Sequence, residues 1–296
     1  MKRTSLAFSL LLASSLLTSS ALAAPLRVTT SFSILEDFVR NVGGSRVTVS
    51  NIVPADGDTH TYQPATTDIQ KMAQARLIFV NGVGFESWLS KLIANAGGEG
   101  KVVTVSSGLK ANTFDEDGQK VDDPHMWLDL SRSEHYVRQI AQALTQADPA
   151  GKAFYAANSS RYLGQIKALD RYAKTQVACI PAPSRKLVTN HDALGYFAAR
   201  YGFKIVGEVI PSLGTEQEPS AQDMAKLSRA IKKEGVKAIF TENVVNKKLA
   251  ETVAGETGAK IAPPLFTDAL GAKGTAQNTF LKAFRYNIDT LVGALK

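Results

Sequence analysis

The sequence predicts an α/β fold with two lobes, each a mostly parallel sheet flanked by helices, joined by one long rigid helix. Short apolar runs alternate with helical patterns along most of the chain, and this alternation is typical of parallel sheets covered by helices. One helical pattern of about 30 residues separates two such stretches, and a helix of that length spans about 40 Å. It is therefore long enough to pass from one lobe to the other.

The first lobe is predicted to comprise residues 25–148. Its strands are expected at 47–53, 77–80 and 102–105, where short apolar runs occur. A helix should begin near Ser33, because Ser33 and Glu36 have the spacing of a capping box, and should end at Gly43. The segment 113–123 is acidic and has few apolar residues, so we expect a mobile loop there.

The linking helix is predicted at residues 149–180. Only Gly151 and Gly164 weaken the helical pattern there, and Pro181 ends it. The second lobe is predicted to comprise residues 181–296. Its strands are expected at 187–189, 205–210, 238–241 and 265–267, and its helices at 192–201, 220–234, 246–257 and 276–294.

Residues 1–24 are predicted to be a cleavable signal peptide. Lys2 and Arg3 precede an apolar stretch, and Ala21 and Ala23 occupy the small-residue positions of a cleavage site. The apolar stretch is shorter than the roughly 20 residues that a membrane-spanning helix needs. No later segment is apolar enough to span a membrane, so we expect an exported protein that does not itself cross one.

The composition limits which partners the protein can bind and where in the cell it can be located. Hydrophobic residues make up 44% of the chain and charged residues 21%, as in a globular protein with a proper core. The 34 basic residues are scattered rather than clustered with aromatics, so nucleic-acid binding is not expected. The only cysteine, Cys179, does not follow the signal, so we expect a periplasmic protein without a lipid anchor. We also expect the protein to be a monomer. We expect Cys179 itself to be a small buried hydrophobe.

Four polar residues are candidates for a metal site. His60, His191 and Asp268 are expected just beyond strand ends, where open α/β sheets bind ligands. His125 ends the acidic segment, whereas His135, the remaining histidine, is expected on the surface of a helix. His60 belongs to the first lobe, and His191 and Asp268 belong to the second. The site would therefore lie in the cleft between the lobes.

These residue types suit a divalent transition metal. Three imidazoles and one carboxylate complete a tetrahedral zinc shell and leave no vacancy for a catalytic water. A bidentate carboxylate would supply five ligands, which manganese could also use. The alternative is structural: a histidine beside a strand often makes only hydrogen bonds, and Asp268 could merely cap the helix that follows it.

Four motifs, in this order, resemble those of the zinc- and manganese-binding solute-binding proteins of bacterial ABC importers. They are Asp58-Thr59-His60, Asp123-Pro124-His125, Asn190-His191-Asp192 and Thr267-Asp268-Ala269. The resemblance covers nearly the whole chain after the signal. It implies two α/β lobes with a rigid linking helix, a metal held in the cleft, and delivery of that metal to a cognate ABC permease in the inner membrane. It also implies that His60, His125, His191 and Asp268 are the ligands.

The resemblance leaves the metal open. Thr59 stands where the family usually has proline, which is a small departure. Members similar to manganese binders often have glutamate at the third ligand, so His191 favours Zn²⁺. The short acidic segment without histidines and the presence of Asp268 leave Mn²⁺ possible. Zinc binds nitrogen ligands more tightly than manganese, so zinc is the favoured ion.

Two other functions remain as alternatives. A secreted zinc metallohydrolase would need an open metal position and a general base, for which Glu242 is the candidate, although a structural hydrogen-bonding role is favoured for this residue. The sequence has no His-Glu-x-x-His motif, so we expect a binding protein rather than an enzyme. A metal-binding adhesin is the other alternative, as a secondary role.

Overall fold

The computed structural model describes residues 24–116 and 118–296. It contains two four-stranded parallel sheets, both flanked by helices, and a long helix that joins the two lobes. The predicted fold class is therefore confirmed. The predicted signal peptide, apart from its last residue, lies outside the described residues. The lobe boundaries at residues 148, 149, 180 and 181 stay a prediction.

The sheet of the first lobe has the strand order β2-β1-β3-β4. Its strands are β1 (Leu26–Phe32), β2 (Val47–Val53), β3 (Leu77–Val80) and β4 (Val102–Thr104). The helices of this lobe are α1 (Ser33–Gly43), α2 (Thr66–Gln74), α3 (Leu89–Ala96) and α4 (Leu130–Ala147). Chain order reverses between β1 and β3, so the crevice at which such sheets bind ligands opens beyond the carboxyl ends of these strands.

The sheet of the second lobe has the strand order β10-β9-β7-β8. Its strands are β7 (Lys186–Thr189), β8 (Lys204–Glu208), β9 (Ala238–Glu242) and β10 (Lys260–Leu265). Its helices are α6 (Gly195–Tyr201), α7 (Ala221–Glu234), α8 (Lys248–Thr257) and α9 (Phe280–Leu295). Here chain order reverses between β7 and β9, which places a second crevice beyond the carboxyl ends of these strands. The candidate ligands described below lie in loops near the crevices of the two lobes.

The linking helix is α5 (Lys152–Ala178), 27 residues long. It packs against α1 and α4 on the side of the first lobe and against α9 on the side of the second. Tyr162 donates a hydrogen bond to Asp37 in α1 at 2.9 Å, and Arg200 in α6 donates two to Asp170 at 2.8 Å. The helix is thus tied to both lobes by buried apolar contacts and by polar ones, which explains how one element holds them together.

Several local expectations are corrected. The acidic segment expected to be a mobile loop forms an antiparallel hairpin of β5 (Thr113–Glu116) and β6 (Gln119–Asp122). Helix α1 begins at Ser33, as predicted, but without the capping bond, because the Ser33 hydroxyl instead accepts from the Leu270 amide of the other lobe at 2.9 Å. Cys179 is exposed at the end of α5 rather than buried. The buried positions there are Ala173, Val177 and Ile180, and Cys179 lies between the last two of them on the opposite side of the chain.

Strand β1 and helix α2 were not expected from the sequence. β1 pairs with both β2 and β3 and is central to its sheet, whereas α2 packs against β1, β2 and α3. No helix in residues 24–116 and 118–296 is long and apolar enough to cross a membrane.

A partly buried ion pair fixes the chain just before the linking helix. Arg46 donates to both carboxylate oxygens of Asp148, at 2.8 and 3.0 Å, and Tyr155 donates to it at 2.6 Å. The hydrogen bonds from Arg46 and Tyr155 lower the pKa of Asp148 to about 2. The charged carboxylate is therefore favoured in the folded protein relative to the unfolded chain.

We expect Asp148→Asn to lower the free energy of unfolding at pH 7 by about 1 kcal/mol, the scale of a favourable but incompletely buried pair. Because the pKa of Asp148 is depressed on folding, its stabilising contribution is complete above about pH 4 and is lost as the pH falls towards about 2. Urea unfolding of both proteins at pH 7 and near pH 3 measures this. An equal stability difference at the two pH values would contradict it.

Candidate metal centre

His60 lies in the loop that follows β2. The backbone N–H of His60 donates to Asp58 Oδ1 at 2.9 Å, and Trp88 Nε1 donates to the preceding carbonyl, that of Thr59, at 2.8 Å. The imidazole meets the Phe85 ring edge-on, with ring centroids 4.8 Å apart. Backbone hydrogen bonds and aromatic packing together hold the ring with its Nε2 atom in the cleft.

His125 lies on the turn that follows the hairpin. Asp123 Oδ1 is 2.9 Å from both the backbone nitrogen and the ring Nδ1 of His125. A carboxylate can only accept, so it requires the proton of the neutral ring on Nδ1 and leaves the lone pair on Nε2. The ring is fully buried and packs against Trp127, whose indole N–H donates to the Thr267 carbonyl of the other lobe.

His191 follows β7 and is oriented by the glutamate at the end of β9. Glu242 Oε2 is 2.7 Å from His191 Nδ1, and Glu242 Oε1 accepts from the backbone N–H groups of Asn190 and His191 at 3.0 Å. Glu242 Oε2 also accepts a hydrogen bond from the Thr267 hydroxyl at 2.7 Å. The sequence offered Glu242 as a general base, but its position is that of a residue that orients an imidazole.

Asp268 follows β10 and lies among the three imidazoles, fully buried. Its Oδ2 atom is 3.1 Å from His191 Nε2 and 3.3 Å from His60 Nε2, and its Oδ1 atom is 3.7 Å from His125 Nε2. The four candidate ligand atoms lie within 4.8 Å of one another. The fold thus brings together all four residues that the sequence singled out. His135 is elsewhere, with its Nε2 atom 2.8 Å from the Ser107 carbonyl.

The donor atoms of this group have no hydrogen-bond partners of suitable geometry. They are the Nε2 atoms of His60, His125 and His191 and both carboxylate oxygens of Asp268, all buried. Buried polar atoms are nearly always satisfied, and five convergent exceptions therefore call for a ligand. Three imidazole nitrogens and a carboxylate are suitable donors for zinc and related ions.

The electrostatics of the group favour a cation. Burial opposes charge on His191, yet the neighbouring Glu242 and Asp268 carboxylates raise the pKa of His191 well above its usual value. Burial likewise opposes charge on Asp268, but His191 and His125 lower the pKa of Asp268 well below its usual range. The negative charge of Asp268 therefore persists in a dry site, where it attracts either a proton on an imidazole or a metal ion.

A cavity of about 510 Å³ opens onto the site between the lobes. Its lining includes His60 and Val83 from the first lobe and Leu213 and Glu216 from the second, with Asp122 of the hairpin. The hairpin that replaced the expected loop thus forms one wall of the mouth. His60 is the candidate ligand that reaches this cavity, whereas His125, His191 and Asp268 are fully buried.

Comparisons with known proteins agree with this geometry. Residues 28–294 match the family model described as zinc-uptake complex component A, periplasmic (ZnuA). The chain belongs to this family. It is accordingly the substrate-binding component of a metal ABC transporter, and a binding protein rather than an enzyme.

Among curated proteins, the chain is 36% identical over 271 residues to the manganese-binding lipoprotein MntA of Halalkalibacterium halodurans, covering 91% of this chain and 88% of that one. It is 32% identical to the metal ABC transporter substrate-binding lipoprotein SloC of Streptococcus mutans, covering 91% of this chain and 90% of that one.

Among solved structures, it is similar to the periplasmic zinc binding protein TroA from Treponema pallidum, with a TM-score of 0.86 and 29% identity over 92% of this chain and 99% of that one. A manganese-bound periplasmic metal binding protein from Candidatus Liberibacter asiaticus gives a TM-score of 0.82 and 29% identity, over 91% of this chain and 99% of that one.

The expectation of a periplasmic protein without a lipid anchor is wrong by this comparison, because MntA, SloC and other relatives are named lipoproteins. That expectation rested on the absence of a cysteine near the signal.

Proposed function

We propose that His60, His125, His191 and Asp268 bind one divalent transition metal ion as transported cargo, which the protein hands to a cognate ABC permease. One observation carries this proposal: four buried side chains from both lobes direct their unsatisfied donor atoms at one point. Because the ligands come from both lobes, metal binding and closure of the cleft are linked, and a permease could release the ion by separating the lobes. We also propose that the protein acts as a monomer.

We further propose that zinc is the ion bound more tightly. Three of the four ligands are imidazoles, which favour zinc over manganese in the usual order of divalent metal affinities. Both Asp268 oxygens face the site, so a fifth bond and therefore manganese can also be accommodated. MntA and the Liberibacter protein carry manganese in their names or titles, whereas TroA carries zinc. Supply in the cell then decides which metal is transported.

Competition between the two ions tests both parts of this proposal. Metal-free protein is incubated with equal excesses of zinc and manganese, desalted, and analysed for metal. We expect about one metal per chain, almost all of it zinc, since zinc stands above manganese in the order of affinities and imidazole nitrogens favour it further. Anomalous scattering at the two absorption edges would identify the ion at the site.

The outcomes are distinguishable. Retention of manganese in preference to zinc would contradict the choice of metal while leaving the site intact. Protein that retains neither ion would contradict metal capture itself. Growth of a deletion strain that is restored by added zinc or manganese would link the protein to import, whereas loss of adhesion alone would favour the adhesin alternative.

A further inference from the structure

The loop that carries His60 (residues 54–60, the His60 loop) makes an unusual backbone turn. Asp56 has a φ of 56°, in the left-handed region that non-glycine residues seldom adopt, although aspartate tolerates it better than most. The Gly57 N–H donates to the Pro54 carbonyl at 3.1 Å and closes the turn. The strain of this conformation indicates that something outside the loop holds Asp56 there.

Asp56 is held by the opposite lobe. Its Oδ1 atom accepts from the Asn243 side-chain amide at 2.9 Å, and its Oδ2 atom accepts from the Ala272 N–H at 3.0 Å. Its own backbone N–H donates to the Leu270 carbonyl at 2.9 Å. These partners follow β9 and β10, in the loops next to Glu242 and Asp268. Asp56 of the first lobe is thus hydrogen-bonded to two loops of the second lobe, the loop after β9, which follows Glu242, and the loop after β10, which contains Asp268.

Asp58 makes a second connection across the cleft. Its Oδ2 atom accepts from the Thr215 hydroxyl of the second lobe at 2.5 Å and from the Thr61 hydroxyl of its own loop at 3.0 Å. Its Oδ1 atom accepts from the His60 backbone N–H at 2.9 Å. Movement of Thr215 away from Asp58 would therefore disturb the carboxylate that binds the backbone N–H of His60, a proposed metal ligand.

We propose that Asp56 and Asp58 form a clasp across the cleft that holds His60 in place and sets the rate at which bound metal leaves. This inference rests on the proposed function, since it assigns a positioning role around the same site. Neither Asp56 nor Asp58 is one of the four candidate metal ligands. Each aspartate accepts at least one hydrogen bond from the opposite lobe, so the clasp is complete only when the lobes are together.

The exposure of the clasp suits a contact that must open. Asp56 is exposed, and water can replace its partners when the lobes separate, so each of its bonds contributes only modestly. The buried bond from Trp127 to Thr267 has no such replacement. A permease can therefore break the bonds of Asp56 more readily than the buried Trp127 bond.

Asp56→Gly isolates the role of the carboxylate. Glycine adopts a φ of 56° without strain, so the turn and the backbone bond to Leu270 are retained while both side-chain bonds are lost. Zinc-loaded wild-type and variant proteins are mixed with an excess of a chromogenic chelator, and the release of zinc is followed in time. We expect release from the variant to be about tenfold faster, the scale of two modest hydrogen bonds.

A matched pair of variants tests Asp58. Thr215→Val and Thr61→Val each remove one hydroxyl from the same carboxylate oxygen, but only the first removes a bond between the lobes. We expect Thr215→Val to release zinc several-fold faster, on the order of one lost charge-assisted hydrogen bond, and Thr61→Val to differ from wild type by less than about twofold.

The melting temperature of each metal-free variant serves as the control for folding. Faster release from Asp56→Gly and Thr215→Val, with unchanged melting and an unchanged Thr61→Val, supports the clasp. Unchanged release from both cross-lobe variants would overturn it, as would equal acceleration by Thr61→Val, which would mean loop disorder instead. Wild-type protein that binds no zinc would contradict the proposed function before any variant is compared.

Discussion

Replacement of Asp268 by asparagine is expected to weaken zinc binding on the order of a hundredfold. Structural zinc sites bind with apparent free energies of about 10–16 kcal/mol through four ligands, so one ligand contributes about 3 kcal/mol. Asp268 is also the only anion among the proposed ligands, and its loss leaves three neutral imidazoles. The asparagine amide has nearly the same shape and can donate to the imidazole Nε2 atoms, so the variant should fold. Titration against a competing chelator measures the affinity.

His135→Ala is the matched control for this experiment. It removes a histidine that the chain places on α4, bound to the Ser107 carbonyl and away from the candidate centre. We expect it to bind zinc as the wild type does. Wild-type affinity and full metal content in Asp268→Asn would show that the four residues are not the binding site.

The second large effect is expected from Glu242→Gln. Glu242 Oε2 lies 2.7 Å from His191 Nδ1, and Oε1 accepts from two backbone N–H groups at 3.0 Å, so the carboxylate favours a proton on Nδ1 and leaves Nε2 free for the metal. Loss of such an orienting partner typically lowers metal affinity by about 10–100-fold. The amide can present its NH₂ group to His191 and so stabilise the wrong tautomer. Metal content and chelator competition would measure the loss.

Glu234→Gln makes the same chemical change at the surface, where Glu234 pairs with Lys186 and Lys204. We expect no change in zinc affinity from it. Asp123→Asn should weaken binding in the same way as Glu242→Gln, because Asp123 orients His125 as Glu242 orients His191. If both orienting variants bound zinc as tightly as Glu234→Gln, the proposed geometry of the imidazoles would be contradicted.

The sequence contained enough information to predict the fold and the candidate ligands. Alternating apolar and helical patterns predicted the two parallel sheets, and the uninterrupted helical pattern predicted α5. Both predictions were possible because the periodicity of hydrophobic residues is a local property of the sequence. His191 and Asp268 could be placed beyond strands β7 and β10 for the same reason. His60 was placed in the same way beyond the strand expected at 47–53, whereas His125, at the end of the acidic segment, was recognised chiefly from its motif.

Orientation of the ligands was not predictable in this way. Asp123 stood within a recognised motif without a role, and Glu242 was considered as a base or as a structural hydrogen-bonding residue, with no partner assigned. The available signals of an orienting role were that Glu242 ends a strand and that Asp123 lies two residues before His125. Whether such a carboxylate faces the imidazole or the solvent depends on how neighbouring strands pack, which the local pattern does not determine.

The sequence by itself determined the two-lobed α/β architecture, the long linking helix and the identity of the four candidate ligands. The tertiary structure alone decided that their donor atoms converge, that the acidic segment forms a hairpin at the cleft mouth, and that Asp56 and Asp58 bind the opposite lobe. The physical reason is separation along the chain. Asp56 lies 187 residues from Asn243, and Asp58 lies 157 from Thr215. Contacts of that range exist only because the linking helix and the shared core bring the two lobes together.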